Sequence, residues 1–240
     1  MAGREGRLKE RARKIALAVC FVAGFCLLRD SGAAVAFQQA VFVKGDVGDF
    51  PANWRARERA GKLVYTVRED AAGSFLHAES KSDSHTIGYP LSLELGEYPF
   101  LRFSWRAVSL PPGGNEREKS TNDGALGIYV VFEGWSMPPR SIKYVWSTTL
   151  PVGTVAESPY SKKARIVVLR SGSGGVGEWI DERVNVLEDF RRLFGENEVP
   201  RVRGIGILTD SDNTASTSAG DYRSLRFARE EEEVASRAAP

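Results

Sequence analysis

The chain has 240 residues, with 33 Lys and Arg against 31 Asp and Glu, and only two cysteines. This near balance gives no electrostatic case for nucleic-acid binding, which needs a concentrated basic surface. Both cysteines, Cys20 and Cys26, lie near the N-terminus, which excludes a disulfide framework or a thiolate zinc site in the rest of the chain.

The N-terminal segment has the features of a secretory signal peptide. Basic residues dominate positions 1–14, an uncharged apolar run covers 15–28, and Ala34-Val35-Ala36 offers a small-x-small cleavage pattern. The run is too short to span a bilayer as a helix. We therefore predict a signal peptide over residues 1–36, a periplasmic or secreted protein, and no membrane span in the mature form. A retained anchor or a buried helix of a cytosolic protein is the alternative.

Removal of this leader changes the charge of the chain. The leader contains seven of the 33 basic and three of the 31 acidic residues, so that 26 basic and 28 acidic residues remain. The mature protein is thus slightly acidic, and nucleic acid is not a predicted partner.

After the leader, short apolar segments alternate with clusters of Gly, Pro, Asn, Asp and Ser, which is typical of an all-β protein. In residues 99–108, Leu101, Phe103 and Trp105 alternate with polar residues, so one face of this strand is expected to be buried. Similar strands are predicted at 63–67, 75–80, 125–132, 142–147, 165–169, 204–209 and 222–227. Two sheets packed as a β-sandwich would bury these faces.

One segment of the mature chain is predicted to be helical. Its apolar residues fall at helical spacing, with Asn185 as the N-cap and Gly195 as the stop: Val186, Phe190, Leu193 and Phe194. The single sandwich domain is predicted over 37–228. The remaining residues, 229–240, contain four consecutive glutamates and are predicted to form a disordered acidic tail.

A short acidic segment resembles a calcium-binding loop. Asp210 and Asp212 alternate along the chain and Asp221 follows, but Ala215 stands where such a loop needs glycine, which excludes an EF-hand. A looser structural calcium site made from Asp210, Asp212 and Asp221 remains open beside ordinary turn chemistry. No other cofactor is predicted.

Longer motifs resemble a known family. They include Tyr144-Val145-Trp146-Ser147, Gly177-Glu178-Trp179 and Thr209-Asp210-Ser211-Asp212-Asn213-Thr214, and over about 42–227 the chain resembles domain of unknown function family 3047. The resemblance implies an exported bacterial protein with a galactose-binding-like jelly-roll sandwich, similar in outline to carbohydrate-binding modules, and no established activity. The chain departs from the family pattern at Asp123, since a second acid and an arginine are missing there.

The first functional hypothesis is a noncatalytic module that binds a saccharide or another polar ligand of the cell envelope. Aromatic rings can stack on the apolar faces of sugars while polar side chains bond the hydroxyl groups. The predicted stacking residues are Trp135, Trp179 and Tyr144. The predicted hydrogen-bonding residues are Asp123, Glu182, Arg183, Asp210, Asp212 and Asn213.

Two alternatives stay open at this point. A glycan-cleaving enzyme would use Glu178 or Glu182 with Asp189 or Asp210, because glycoside hydrolysis needs two carboxylates flanking the scissile bond. Two carboxylates across an open cleft would favour this enzyme, whereas salt bridges would argue against it. A structural or protein-binding envelope component would instead show a broad exposed apolar patch.

Overall fold

The structure is a computed structural model, and it describes residues 42, 44–134 and 137–229. The predicted signal peptide, Trp135 and residues 230–240 of the predicted tail lie outside the described residues. Twelve strands are described: β1 (Arg55–Ala56), β2 (Tyr65–Asp70), β3 (Gly73–Lys81), β4 (Ser84–Leu93), β5 (Phe100–Ser109), β6 (Gly124–Phe132), β7 (Ser141–Ser147), β8 (Val155–Ser158), β9 (Ser161–Ser171), β10 (Ile180–Asn185), β11 (Val202–Asp210) and β12 (Thr217–Ala228).

The strands form two sheets. The seven-stranded sheet has the order β1-β4-β11-β6-β7-β9-β8, and the five-stranded sheet has the order β10-β5-β12-β3-β2. All neighbouring strands are antiparallel except β7 and β9, which are parallel. The last two strands, β11 and β12, occupy interior positions of their sheets. The predicted all-β jelly-roll sandwich is confirmed.

The main core lies between the two sheets. Trp105 on β5 and Trp146 on β7 are both fully buried and meet across it with ring centroids 6.1 Å apart. Each large aromatic ring removes much apolar area from water, which is the main favourable term in folding. The alternation in residues 99–108 is also explained, since Leu101, Phe103 and Trp105 all belong to this core.

Two α-helices are described, α1 (Gly61–Val64) and α2 (Val186–Phe194). Asn185 caps α2 by accepting a hydrogen bond from the Glu188 amide at 3.1 Å. Gly195 ends α2 with a φ of 70°, a left-handed conformation that suits glycine, and donates its amide to the carbonyl of Arg191. The predicted helix and both of its signals are confirmed. No helix of the described chain is long and apolar enough to cross a membrane.

Two sequence predictions of local structure need correction. The strand predicted at 63–67 begins only at Tyr65, because the preceding residues form α1 and Leu63 is 86% exposed. Strand β4 was not predicted, since its sequence contains His85, Gly88 and Pro90, which weaken a strand pattern. It is nevertheless a full strand because it pairs with β1 and β11.

Candidate functional site

Three buried aspartates meet at the end of β11. Asp210 is the last residue of β11, Asp212 lies in the turn that follows, and Asp123 immediately precedes β6. Because β6 pairs with β11 and Asp210 lies opposite Gly124, the three carboxylates come together. One oxygen from each lies within 4.8 Å of one from each of the others. Asp123 and Asp210 are fully buried, and Asp212 is 8% exposed. We call these three residues the aspartate cluster.

Asp123 holds the turn that carries Asp212. Its Oδ1 accepts hydrogen bonds from the backbone amide and the side-chain Nδ2 of Asn213, at 3.1 and 3.0 Å. Its Oδ2 accepts from the backbone amide and the hydroxyl of Thr214, both at 2.6 Å. Asn213 Nδ2 also donates to Asp212 Oδ1 at 2.8 Å. Hydrogen bonds to a carboxylate are stronger than neutral ones, so this turn is firmly positioned beside Asp210.

Asp210 is the member of the aspartate cluster whose oxygens accept no hydrogen bond within the described part of the chain. Neither of its carboxylate oxygens, both buried, accepts a hydrogen bond from any residue that the structure describes. Burial raises the pKa of Asp210 well above its usual value, and the charges of Asp212 and Asp123 raise it further. A buried carboxylate without compensation is costly, so this residue needs a proton or a cation.

Two charged residues near the aspartate cluster were missed by the sequence analysis. Lys143 on β7 is buried and interacts electrostatically with Asp210 and with Glu116. Glu116 is fully buried in the segment between β5 and β6, and its Oε2 accepts from the Ser147 hydroxyl at 2.5 Å. The alternation of β7 predicts on which face of the sheet Lys143 lies. It does not predict that Glu116 comes close to Lys143, because Glu116 belongs to a segment distant in sequence.

Asp221 does not belong to the aspartate cluster, which corrects its prediction as a calcium ligand. It lies on β12 in the five-stranded sheet, whereas Asp210 lies in the seven-stranded sheet. Its Oδ1 is 2.6 Å from His77 Nδ1, and its Oδ2 accepts from Arg106 Nε at 2.7 Å. Both oxygens are therefore engaged within the sheet.

A second candidate region surrounds Trp179, on the outer face of the five-stranded sheet. It is half-buried, and its ring meets Phe75 edge-on with centroids 5.5 Å apart. Two guanidinium groups lie over the indole, Arg223 at 3.9 Å and Arg106 at 4.7 Å from the ring centroid. We call Trp179, Phe75, Arg106 and Arg223 the Trp179 surface.

Acidic side chains hold the two arginines of the Trp179 surface. Arg106 is bound by Asp221, as described, and Arg223 Nη1 lies 3.3 Å from both carboxylate oxygens of Asp70. On the neighbouring β5 and β10 strands, Ser104 donates its hydroxyl to Asp181. The outer face thus presents an aromatic ring among oriented donors and acceptors.

The remaining predicted ligand residues belong neither to the aspartate cluster nor to the Trp179 surface. Tyr144 is fully buried in the core and donates its hydroxyl to Asp189 Oδ2 at 2.9 Å, so its ring has no free face for a ligand. Glu182 accepts from Arg170 Nε at 2.7 Å and from the indole nitrogen of Trp105 at 3.1 Å. Arg183 is exposed, with its guanidinium 3.7 Å from the centre of the Phe100 ring.

Two carboxylates of the enzyme alternative, Glu182 and Asp189, are held in salt bridges, whereas Glu178 is exposed. Glu182 is ion-paired with Arg170, and Asp189 is ion-paired with Arg192 at 2.5 Å while it accepts from Tyr144. Asp210 lies apart from both, in the aspartate cluster. For Glu182 and Asp189, these contacts are the salt bridges that were expected to argue against a catalytic role.

No curated protein matches the sequence. Among solved structures, the chain is similar to TmCBM61 in complex with beta-1,4-galactotriose, at 13% identity and a TM-score of 0.37, covering 80% of this chain and 99% of that one. It is similar to CBM28, a carbohydrate-binding module specific for non-crystalline cellulose, at 14% identity and a TM-score of 0.38, covering 81% and 98%.

A third similar structure is an enzyme. It is the endoglucanase 3 of Trichoderma harzianum, from family GH12, at 10% identity and a TM-score of 0.41, covering 83% of this chain and 100% of that one. For the sequence, the model of a family described as protein of unknown function, DUF3047, matches residues 52–226. The match covers most of the chain and confirms the resemblance seen in its motifs, and the chain therefore belongs to the DUF3047 family.

Proposed function

We propose that this protein is a noncatalytic module that binds a saccharide at the Trp179 surface, in the periplasm or outside the cell. The observation that carries the proposal is a partly exposed indole ring beside two arginines whose guanidinium groups are held by acidic side chains. A sugar combines apolar C–H faces with many hydroxyl groups, and such a surface offers both an aromatic contact and directional hydrogen bonds.

The polar groups of the Trp179 surface are positioned before any ligand arrives. Asp221 holds Arg106, and Asp70 holds Arg223. Ordering a long side chain on binding costs about 0.5–1.5 kcal/mol, and ion pairs that already fix these side chains reduce that cost. This preorganisation supports a binding role for the surface.

The noncatalytic part of the proposal rests on the carboxylates. Two of those at the Trp179 surface neutralise arginines: Asp221 binds Arg106, and Asp70 binds Arg223. Glu182 is likewise held by Arg170. A general acid needs a protonated carboxyl group and a nucleophile needs a free one, and these ion pairs favour neither state.

The experiment is a screen of the purified protein against an array of neutral and acidic oligosaccharides, followed by calorimetric titration of the best ligand. We expect Trp179→Ala to weaken binding at least tenfold and Arg223→Lys to weaken it less, because lysine keeps the charge but loses the planar donors. Leu63→Ala is the matched control, since Leu63 is exposed on α1. Absence of any bound saccharide, or full binding by a folded Trp179→Ala protein, would contradict the proposal.

A further inference from the structure

The aspartate cluster has the spacing of ligands around one ion. Two ligands of one Ca²⁺ ion, each about 2.3–2.6 Å from it, can be at most about 5 Å apart. The oxygens offered by Asp123, Asp210 and Asp212 all lie within 4.8 Å of one another. A single ion can therefore touch all three carboxylates.

A second, independent observation is that both oxygens of Asp210 lack a hydrogen-bond donor among the described residues. This side chain is fully buried, it sits within the cluster, and both of its oxygens are without a hydrogen bond among the described residues. Native proteins rarely leave buried polar atoms unpaired unless a ligand or water satisfies them. The turn held by Asp123 places no donor at Asp210, so the arrangement keeps its oxygens available.

The charge around Asp210 also needs a cation. Three carboxylates are buried together, and the nearby Lys143 offsets only part of their charge because it also interacts with Glu116. A bound divalent ion would supply two positive charges at the point where the carboxylate oxygens converge. Like charges this close otherwise force at least one group to take up a proton.

We propose that Asp123, Asp210 and Asp212 bind one calcium ion. The ligands in the cluster are all carboxylates, and hard oxygen ligands select calcium or magnesium over zinc or copper. Magnesium gives up its water ligands reluctantly and is usually bound through only one or two protein carboxylates, whereas calcium accepts a larger set of protein oxygens. Three carboxylates that converge on one point therefore favour calcium.

The proposed ion would join three segments that are distant in sequence. Asp123 precedes β6, Asp210 ends β11, and Asp212 belongs to the turn that leads into β12. Because β11 and β12 belong to different sheets, the ion would fix the point where the chain passes from one sheet to the other. A ligand that binds only the folded state stabilises it according to its concentration and affinity.

The test uses the full chain, stripped with a chelator and then titrated with CaCl₂ or MgCl₂. Metal content, calorimetry and the midpoint of thermal unfolding, Tm, are measured. We expect one calcium per chain, a Tm that rises with calcium concentration, and at least tenfold weaker binding of magnesium. Failure of the wild-type protein to bind calcium at millimolar concentration, or tighter binding of magnesium, overturns the assignment.

Substitutions test whether calcium binds at the aspartate cluster or at other acidic residues. Asp210→Asn is expected to abolish the response of Tm to calcium, and Asp212→Asn to weaken calcium binding at least tenfold. Asp212→Asn also serves if Asp210→Asn does not fold, because Asp212 is slightly exposed and less central. Asp49→Asn is the matched control, since Asp49 is exposed, and it should bind calcium as the wild type does. Wild-type affinity in folded Asp210→Asn or Asp212→Asn overturns the proposal.

Discussion

Arg106 and Asp221 form an ion pair across β5 and β12 in which Nε and Nη2 each lie 2.7 Å from Asp221 Oδ2. The carboxylate is almost completely buried and also contacts His77 at 2.6 Å. Arg106 also lies over the Trp179 ring. The buried carboxylate of Asp221 therefore holds one of the arginines of the Trp179 surface.

The first prediction concerns loss of this carboxylate. Asp221→Ala is expected to lower the free energy of unfolding by about 3 kcal/mol, because removing one partner of a buried ion pair leaves the other charge uncompensated. Denaturant unfolding checks the value. Glu79→Ala is the control: its ion pair with Lys81 is exposed at 3.3 Å and should contribute less than about 1 kcal/mol. Equal losses in the two variants would contradict the prediction.

The second prediction concerns the close approach of the two sheets at Gly220. A Cβ atom added there would lie 2.3 Å from Cδ2 and 2.9 Å from Cγ of Leu126, which is fully buried on β6. Gly220→Ala is therefore expected to destabilise the fold by about 1–3 kcal/mol through overpacking. Gly174→Ala, with open space around its Cβ position, should leave the Tm nearly unchanged. A Tm unchanged by Gly220→Ala would show that the sheets can separate without cost.

The third prediction is a pH dependence due to Glu116. Burial raises the pKa of this carboxyl above its usual value near 4.5. The folded state then binds the proton more tightly than the unfolded state, so this contribution to stability is present at low pH and is lost as pH rises through the raised pKa. Glu116→Gln should match the wild type near pH 4 and become progressively more stable than it towards pH 7.

The check on Glu116 is unfolding by denaturant over this pH range in buffer without divalent cations. The matched control is Glu118→Gln, because Glu118 is exposed in the same segment. Its difference from the wild type should not vary with pH. A constant difference for Glu116→Gln as well would rule out the proposed contribution.

The fourth prediction concerns the N-cap of α2. Asn185→Ala removes the side-chain acceptor of the Glu188 amide and should cost about 1 kcal/mol of stability. Asn185→Asp keeps an acceptor at the same place and should retain most of the wild-type Tm. Equal Tm values for both variants would show that this cap does not contribute.

Local patterns predicted much of the fold because one sheet face is buried along most strands. The alternation around Phe103 and the signals at Asn185 and Gly195 identified β5 and α2. Local patterns did not predict strands in which polar residues are buried by neighbours distant in sequence. Strand β4 is an example, since His85 and Thr86 are both buried. Burial of that kind depends on which strands pair, and short-range periodicity does not contain this information.

The candidate site was predicted less completely for the same reason. Asp123, Asp210 and Asp212 were all selected from the sequence, but Asp123 joins the other two only because β6 pairs with β11. Asp221 was grouped with them by proximity along the chain, although β12 carries it into the other sheet. Trp179 was also selected, and in the structure it precedes β10 and contacts Phe75, Arg106 and Arg223 of the five-stranded sheet.

The interior positions of β11 and β12 constrain the order in which the two sheets can form. Until these strands pair, β4 has no link to β6 and β3 has no link to β5. A chain that ends before residue 202 therefore lacks an interior strand of each sheet, and each sheet is left as two separate groups of strands. Completion of both sheets depends on residues 202–228, and non-local strand pairing of this kind is slow. Truncation before residue 202 should therefore prevent the sandwich from forming.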